Sequence, residues 1–372
     1  MRGRGVDPRY GLIAAGVGTG LGMVGAGALG IGRHYATVLL DPGRVVAFPE
    51  RVLHTGSGSV TLATSRLVRQ PGVWGLRWAE GLAVVGGIER EDRRGVRRTL
   101  LAGPVPPEGP AVVDAGPFDP DPAARGLPFD DVAIETPLGP APAWFVPGEG
   151  DTWAVAVHGR GGRRREALRI LPTLHRLGLP TLVISYRNDD DAPASPDGHF
   201  HLGDSEWQDL EAAVVYAREH GARRIVLVAW SMGAAISGAF LHRSKEAEAV
   251  VSQVWDAPLT DWRATLRRQA RNRLVPPQLV PIATAATRRR IGIDFDEFDL
   301  LRHPPAHRPP TLIVHSTPDT AVPVASSRAL AAAGPALDWP IRFVEVPAVE
   351  HTASWNADPA RYEQLVAAFL QE

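Results

Sequence analysis

The stretch from Ile225 to Ala235 constrains the fold more than any other part of the chain. Ile225-Val226-Leu227-Val228-Ala229-Trp230 is an apolar run that reads as a buried strand. Ser231 follows at once, and Met232-Gly233-Ala234-Ala235 then supply the small residues of a helix start. A strand–serine–helix turn holds the serine in a strained backbone, and only small neighbours let strand and helix lie so close. The usual pattern is G-x-S-x-G; here Ala229 takes the first position and is small enough for the turn. The plainer alternative is a serine N-cap opening a core helix.

The surroundings favour the strained turn. From about Asp130 strands alternate with helices, which predicts a mostly parallel sheet. Asp131–Thr136 and Ala141–Val146 read as an opening hairpin, Trp153–Val157, Thr181–Tyr186, Arg224–Trp230 and Ala249–Trp255 as core strands. Thr311–His315 and Ile341–Val346 continue the sheet, and Pro359–Leu370 reads as a closing helix. After Trp153–Val157 comes His158-Gly159-Arg160-Gly161-Gly162, a loop able to turn backbone N–H groups toward Ser231. The N–H groups of Arg160 and Met232 are the expected oxyanion donors, and His158 is expected to stabilise the loop. Asp319 lies on the loop after one later strand and His351 on the loop after the next. The order Ser231, Asp319, His351 suits nucleophile, acid and base at three successive strand ends. Asp256, just past another strand, is a rival acid.

From about residue 130 to the C-terminus the chain resembles the α/β-hydrolase superfamily. More closely, it looks like bacterial, often actinobacterial, serine hydrolases of the serine aminopeptidase/esterase-like branch. Ser185-Tyr186-Arg187-Asn188-Asp189, Gly203-Asp204-Ser205-Glu206-Trp207 and Trp355-Asn356-Ala357-Asp358-Pro359 add to the likeness. The resemblance implies an α/β fold with a mostly parallel eight-stranded sheet, helices on both faces and an acyl-enzyme mechanism. It carries over Ser231 as nucleophile, Asp319 as acid and His351 as base, with no cofactor; resemblance and chain order together favour Asp319 over Asp256. It transfers no substrate, because the fold hosts esterases, lipases, thioesterases, amidases and peptidases.

Two segments precede the hydrolase part. Gly11 to Gly32 carries no charge and nine glycines. As a helix it would span roughly 33 Å, enough to cross a bilayer core. With Arg2, Arg4 and Arg9 before it, residues 1–34 are expected to be a transmembrane anchor, with the catalytic part outside the cytoplasm. Ala26-Gly27-Ala28 leaves open a cleaved signal over residues 1–28 and a secreted form, and a Gly/Ala-rich leader is the bland reading. Residues 35–129 read as short strands and turns, with Glu89–Arg98 as a solvated, charged hairpin and Gly103–Arg125 as a linker. No chemistry is expected there.

Within the hydrolase domain of residues 130–372, residues 257–308 read as a helical cap inserted between core strands. Trp262, Leu266, Ala270 and Leu274 recur every four residues, beside Arg263, Arg267 and Arg271. A lid helix laying this stripe on the active site is favoured over one lying in a membrane interface. Asp294, Asp296, Glu297 and Asp299 are expected to neutralise part of its basic charge.

Composition excludes several chemistries. Cysteine is absent, which removes disulfides, thiolate metal sites and cysteine nucleophiles. A formal charge of −1 gives no global attraction to nucleic acid. His199 and His201 beside Asp189–Asp191 read as part of an exposed acidic loop, and no metal is expected. The expectation is a membrane-anchored serine hydrolase of small-molecule or lipid-like acyl substrates, carboxylic esters first. The alternatives are an aminopeptidase-like amide hydrolase and a catalytically silent binding protein of the same fold.

Overall fold

The computed structural model describes residues 37–43, 48–116 and 119–372. The expected anchor or signal at residues 1–34 lies outside them. Among the described residues no helix is long and apolar enough to cross a membrane.

The β-rich segment closes on itself. Strands β1 (Glu50–Gly56), β2 (Ser59–Leu62), β3 (Trp74–Trp78), β4 (Gly81–Asp92), β5 (Gly95–Ala102) and β6 (Gly109–Asp114) form an antiparallel barrel in the order β1-β2-β5-β4-β3-β6. Inward residues such as Val52, Leu62, Trp74, Leu76 and Val85 fill it. The linker expected over Gly103–Arg125 therefore needs correction, because β6 lies inside it and seals the barrel against β1 through the pair Val52↔Gly109. Gly109 and Pro110 disguise the strand, yet Ala111 and Val113 alternate inward as a strand requires. The expected solvated hairpin over Glu89–Arg98 forms between β4 and β5, with its charged residues largely exposed, and Arg98 is the exception. Arg98 is completely buried and donates to the carbonyls of Gly86, Val68, Gln70 and Gly72 at 2.7–2.8 Å. Burial pulls its pKa down to about 10, and the four carbonyls supply the partners that a buried cation needs.

The second sheet has eight strands: β7 (Asp130–Thr136), β8 (Gly139–Val146), β9 (Thr152–Val157), β10 (Thr181–Ile184), β11 (Arg224–Trp230), β12 (Val250–Asp256), β13 (Thr311–Ser316) and β14 (Ile341–Val346). Their order is β14-β13-β12-β11-β9-β10-β8-β7, with β8 antiparallel to both its neighbours, β10 and β7, and every other pair parallel. Alternation along β11 separates two cores. Ile225, Leu227 and Ala229 meet the helices Trp207–Glu219 and Met232–Arg243, while Val226, Val228 and Trp230 meet Leu171–Arg176 and Pro359–Leu370. A helix over Val324–Ala333 was not anticipated from the sequence.

Topology places the site. After β10 the chain crosses back over β9 to form β11, so the loops leaving β9 and β11 diverge at a switch point on the carboxyl edge. Those loops carry Arg160 and Ser231. The barrel docks at the same edge. Asn356 donates to the Val73 carbonyl and accepts from the Val73 N–H, at 2.8 and 2.9 Å, and the Glu350 N–H reaches Gln70 Oε1 at 2.7 Å. Val349 and Ala353, on either side of His351, pack into the barrel's own core. Gly72 has φ +86°, and a Cβ there would fall 1.9 Å from the Asn356 carbonyl, so only glycine permits this contact.

Candidate active site

Ser231 has φ 49° and ψ −113°, a conformation unfavourable for any residue with a side chain. It is held by its own N–H, which donates to the Asp256 carbonyl at 3.0 Å, and by its carbonyl, which accepts from Ala234 and Leu259. The small neighbours are required. A Cβ on Gly233 would sit 2.2 Å from the Val157 carbonyl, and one on Gly159 would sit 3.1 Å from Ser231 Cβ. Ala229 is fully buried in the strand, where its methyl group is accommodated.

Three residues distant in sequence meet here. His351 Nε2 lies 2.8 Å from Ser231 Oγ, and His351 Nδ1 lies 2.7 Å from Asp319 Oδ2. The Nδ1–H donates to the carboxylate, which leaves Nε2 to accept from the serine hydroxyl. A second imidazole shares that carboxylate oxygen: His315 Nε2 is 3.1 Å from Asp319 Oδ2, with its Nδ1 2.8 Å from Ser327 Oγ. Asp319 Oδ1 accepts from the N–H groups of Ala321 and Val322. Burial alone would raise the Asp319 pKa. The charge of His351 and the hydrogen bonds from both histidines outweigh it and hold the carboxyl far below its ordinary range. For His351 burial pulls downward, but the Asp319 charge and hydrogen bond prevail and raise its pKa.

Asp256, the rival acid, is fully buried but turns to Ser354 Oγ at 2.9 Å. Burial pushes its pKa up to about 6, against the opposing Arg169 charge and the Ser354 hydrogen bond. It makes no hydrogen bond to His351 (among the described residues).

The glycine-rich loop is braced from below. Glu166 Oε2 accepts from the Gly159 N–H at 2.7 Å. His158 bonds the Gly159 carbonyl and Asp189 Oδ2, and stacks on Tyr186 with ring centroids 4.2 Å apart. His158 is thus tied into the loop, as expected. The exposed acidic loop needs correction: Asp190 is exposed, but Asp189 is buried between His158 and Arg163. His201 pairs with Asp197, and among the described residues no group of three His, Asp or Glu could hold a metal.

A cavity of about 960 Å³ opens on Ser231, Met232, Arg160 and His351. Its roof is the cap helices Trp262–Asn272 and Val280–Ile291, and the stripe Trp262, Leu266 and Ala270 lines it. Leu274 departs from the expected stripe: the helix has ended, Leu274 has φ +54°, and its side chain is 91% exposed. Asp296 pairs with Arg263 and Asp294 with Arg288, whereas Glu297 pairs with Arg243 outside the cap and Asp299 with Arg302. The first cap helix is tied to the acid loop, since Arg268 donates to the Asp319 carbonyl, Gln269 to Ala321 and Asn272 to Thr320.

Sequence reasoning missed His315, Glu166 and the barrel's share in this cavity, which includes Arg77, Leu82 and Asp114. His315, four residues before Asp319 at the end of an apolar strand, was the visible signal for the first.

A model of the prolyl oligopeptidase family matches residues 195–372, a little under half of the chain. A domain of unknown function matches residues 51–114, within the barrel. The esterase Pf2001 of Pyrococcus furiosus is 18% identical over 68% of this chain and 96% of its own, with a TM-score of 0.55. DcsB, solved with a substrate analogue, is 16% identical over 66% of this chain and 99% of its own, with a TM-score of 0.51. Among curated proteins nothing matches. Fold and family match together define the class: a serine hydrolase built on the α/β-hydrolase fold.

Proposed function

We propose that the chain cleaves carboxylic esters through Ser231 as nucleophile, His351 as general base and Asp319 as the acid that orients it. One observation carries this reading: the continuous chain from Asp319 Oδ2 through His351 to Ser231 Oγ, with links of 2.7 and 2.8 Å. His351 Nε2 takes the serine proton as Oγ attacks the acyl carbonyl. The N–H groups of Arg160 and Met232 receive the developing oxyanion. His351 then protonates the leaving alkoxide, and water attacking through the same imidazole releases the acid and restores Ser231. A fluorophosphonate probe should label the wild type at Ser231 and leave Ser231→Ala unlabelled; equal labelling of both would refute the assignment.

The prolyl oligopeptidase match favours a second reading, amide cleavage at the same triad. Comparing p-nitrophenyl esters with aminoacyl p-nitroanilides separates the two: faster anilide turnover would replace the ester reading. We further propose that residues 1–34 anchor the protein in a membrane with its catalytic domain outside the cytoplasm. The uncharged run from Gly11 to Gly32 supports this. Exposed Arg267, Arg271 and Leu274 on the cap support a second membrane contact. Recovery of the full chain in the salt-washed membrane fraction, with its catalytic domain open to added protease on the outer face, is expected. A soluble, protected protein would overturn this part, and a shorter soluble form outside the cell would indicate cleavage near Ala28.

A further inference from the structure

The cavity has two chemically different halves. Under the cap, Leu266, Val275, Leu279, Val280 and Ala283 give an apolar lining. Elsewhere five arginines (77, 160, 163, 164 and 165) face it, and Arg273 at the end of the first cap helix makes a sixth, against four carboxylates. Those carboxylates already have partners. Asp190 pairs with Arg163 at 2.6 Å and Asp191 with Arg164 at 2.6 Å. Glu166 accepts from the Gly159 N–H and lies 3.5 Å from Arg169. Asp114 accepts from the Gly116 N–H and stands 3.6 Å from Arg77, beyond hydrogen-bond reach. Positive charge is left over. Among the described residues, Arg165 is exposed at the cavity wall with no carboxylate in ion-pair range, and Arg273 reaches only Gln269. Arg77 leaves its buried Nε without a partner.

Arg77 belongs to the barrel, on β3 opposite Leu82. Leu82 packs against the cluster that contains Trp144, and the Arg164 guanidinium lies over the Trp144 ring at 4.6 Å. The barrel therefore brings a guanidinium to the side of the cavity where the arginines after the glycine-rich loop begin. A cleft with walls of one sign concentrates the opposite charge, and guanidinium forks suit carboxylate and phosphate oxygens. A volume of about 960 Å³ leaves room for such a group beside a sizeable acyl chain.

We propose that the substrate is an amphiphilic ester whose acyl chain lies under the cap and whose anionic group, a carboxylate or a phosphate, is held by Arg165 and the barrel's Arg77. The proposal rests on the ester-hydrolase reading and names its substrate class. The test uses the full-length protein with matched pairs that carry the charge on the alcohol side: phenyl octanoate against 4-carboxyphenyl octanoate, and a monoacylglycerol against its phosphate. The wild type should favour at least one anionic member by about tenfold or more in kcat/KM, and Arg165→Glu and Arg77→Met should each lower that ratio about tenfold, chiefly through KM. The member that shows the preference assigns carboxylate or phosphate. Neutral esters turned over as fast as their anionic partners in both pairs, or a ratio unmoved by both variants, overturn the proposal while leaving the ester reading intact. No turnover of any pair, with no fluorophosphonate labelling, overturns both.

Discussion

Two adjacent strand ends each offer a buried carboxylate, and the difference between them explains the site. Asp256 closes β12 and Asp319 follows β13, its parallel neighbour. Both are about 1% exposed. Asp256 meets one hydroxyl, and desolvation drives its pKa up to about 6. Asp319 meets two imidazoles and two backbone N–H groups, and its pKa falls well below the ordinary range. Burial is common to both; what stands within hydrogen-bond reach decides the charge. Both are ionised above neutral pH, but only the second is stabilised in that form and stands within reach of an imidazole that it can hold as a cation.

That contrast can be broken most decisively by amide substitution. Asp319→Asn should lower kcat by about 10³–10⁴, while Asp256→Asn keeps kcat within about threefold. The opposite ranking in steady-state ester hydrolysis would exchange their roles. A smaller loss, about tenfold in kcat with KM little changed, is expected for His315→Gln, because the carboxylate would lose one of the two imidazoles fixing its orientation. An unchanged kcat would make His315 merely structural. The raised His351 pKa places the ascending limb of kcat/KM above the ordinary imidazole value of 6.5, since the base must be neutral to accept the serine proton. A limb below that value would mean that the Asp319 charge does not reach His351. The smallest effect concerns stability. A carboxyl whose pKa is raised on folding costs stability as pH climbs from 3.8 to about 6. Asp256→Asn should therefore raise the melting temperature at about pH 8, by no more than ~3 kcal/mol of stability, and leave it unchanged near pH 3. Equal melting curves at the higher pH would contradict the raised pKa.

The cluster of Ser231, Asp319 and His351 was legible because each member follows an apolar strand and the serine is set among small residues that such a turn demands. Ser231, Asp319 and His351 come together where chain order and resemblance placed them. Which aspartate meets His351 could not be read from order alone, since Asp256 occupies an equally good strand end; its side chain turns toward Ser354 instead. The barrel was legible as strands but not as a closed unit. Closure depends on β6, whose Gly109-Pro110 start imitates a linker, and on the pairing of residues some sixty positions apart. Arg98 was misread for the reason that arginine is ordinarily solvated; nothing local announces four inward carbonyls. The cap stripe read correctly through Ala270 and failed at Leu274, beyond the last helical residue.

The clamp that Arg98 places on residues 68–72 has a reach beyond the barrel. Those residues carry Gln70 and Gly72, which grip the segment on either side of His351. The barrel and the hydrolase sheet are consequently expected to melt together in one cooperative transition, and neither half is an independent cassette. Without the barrel, this chain would keep Ser231 on its strand end while the segment that carries His351 loses these contacts.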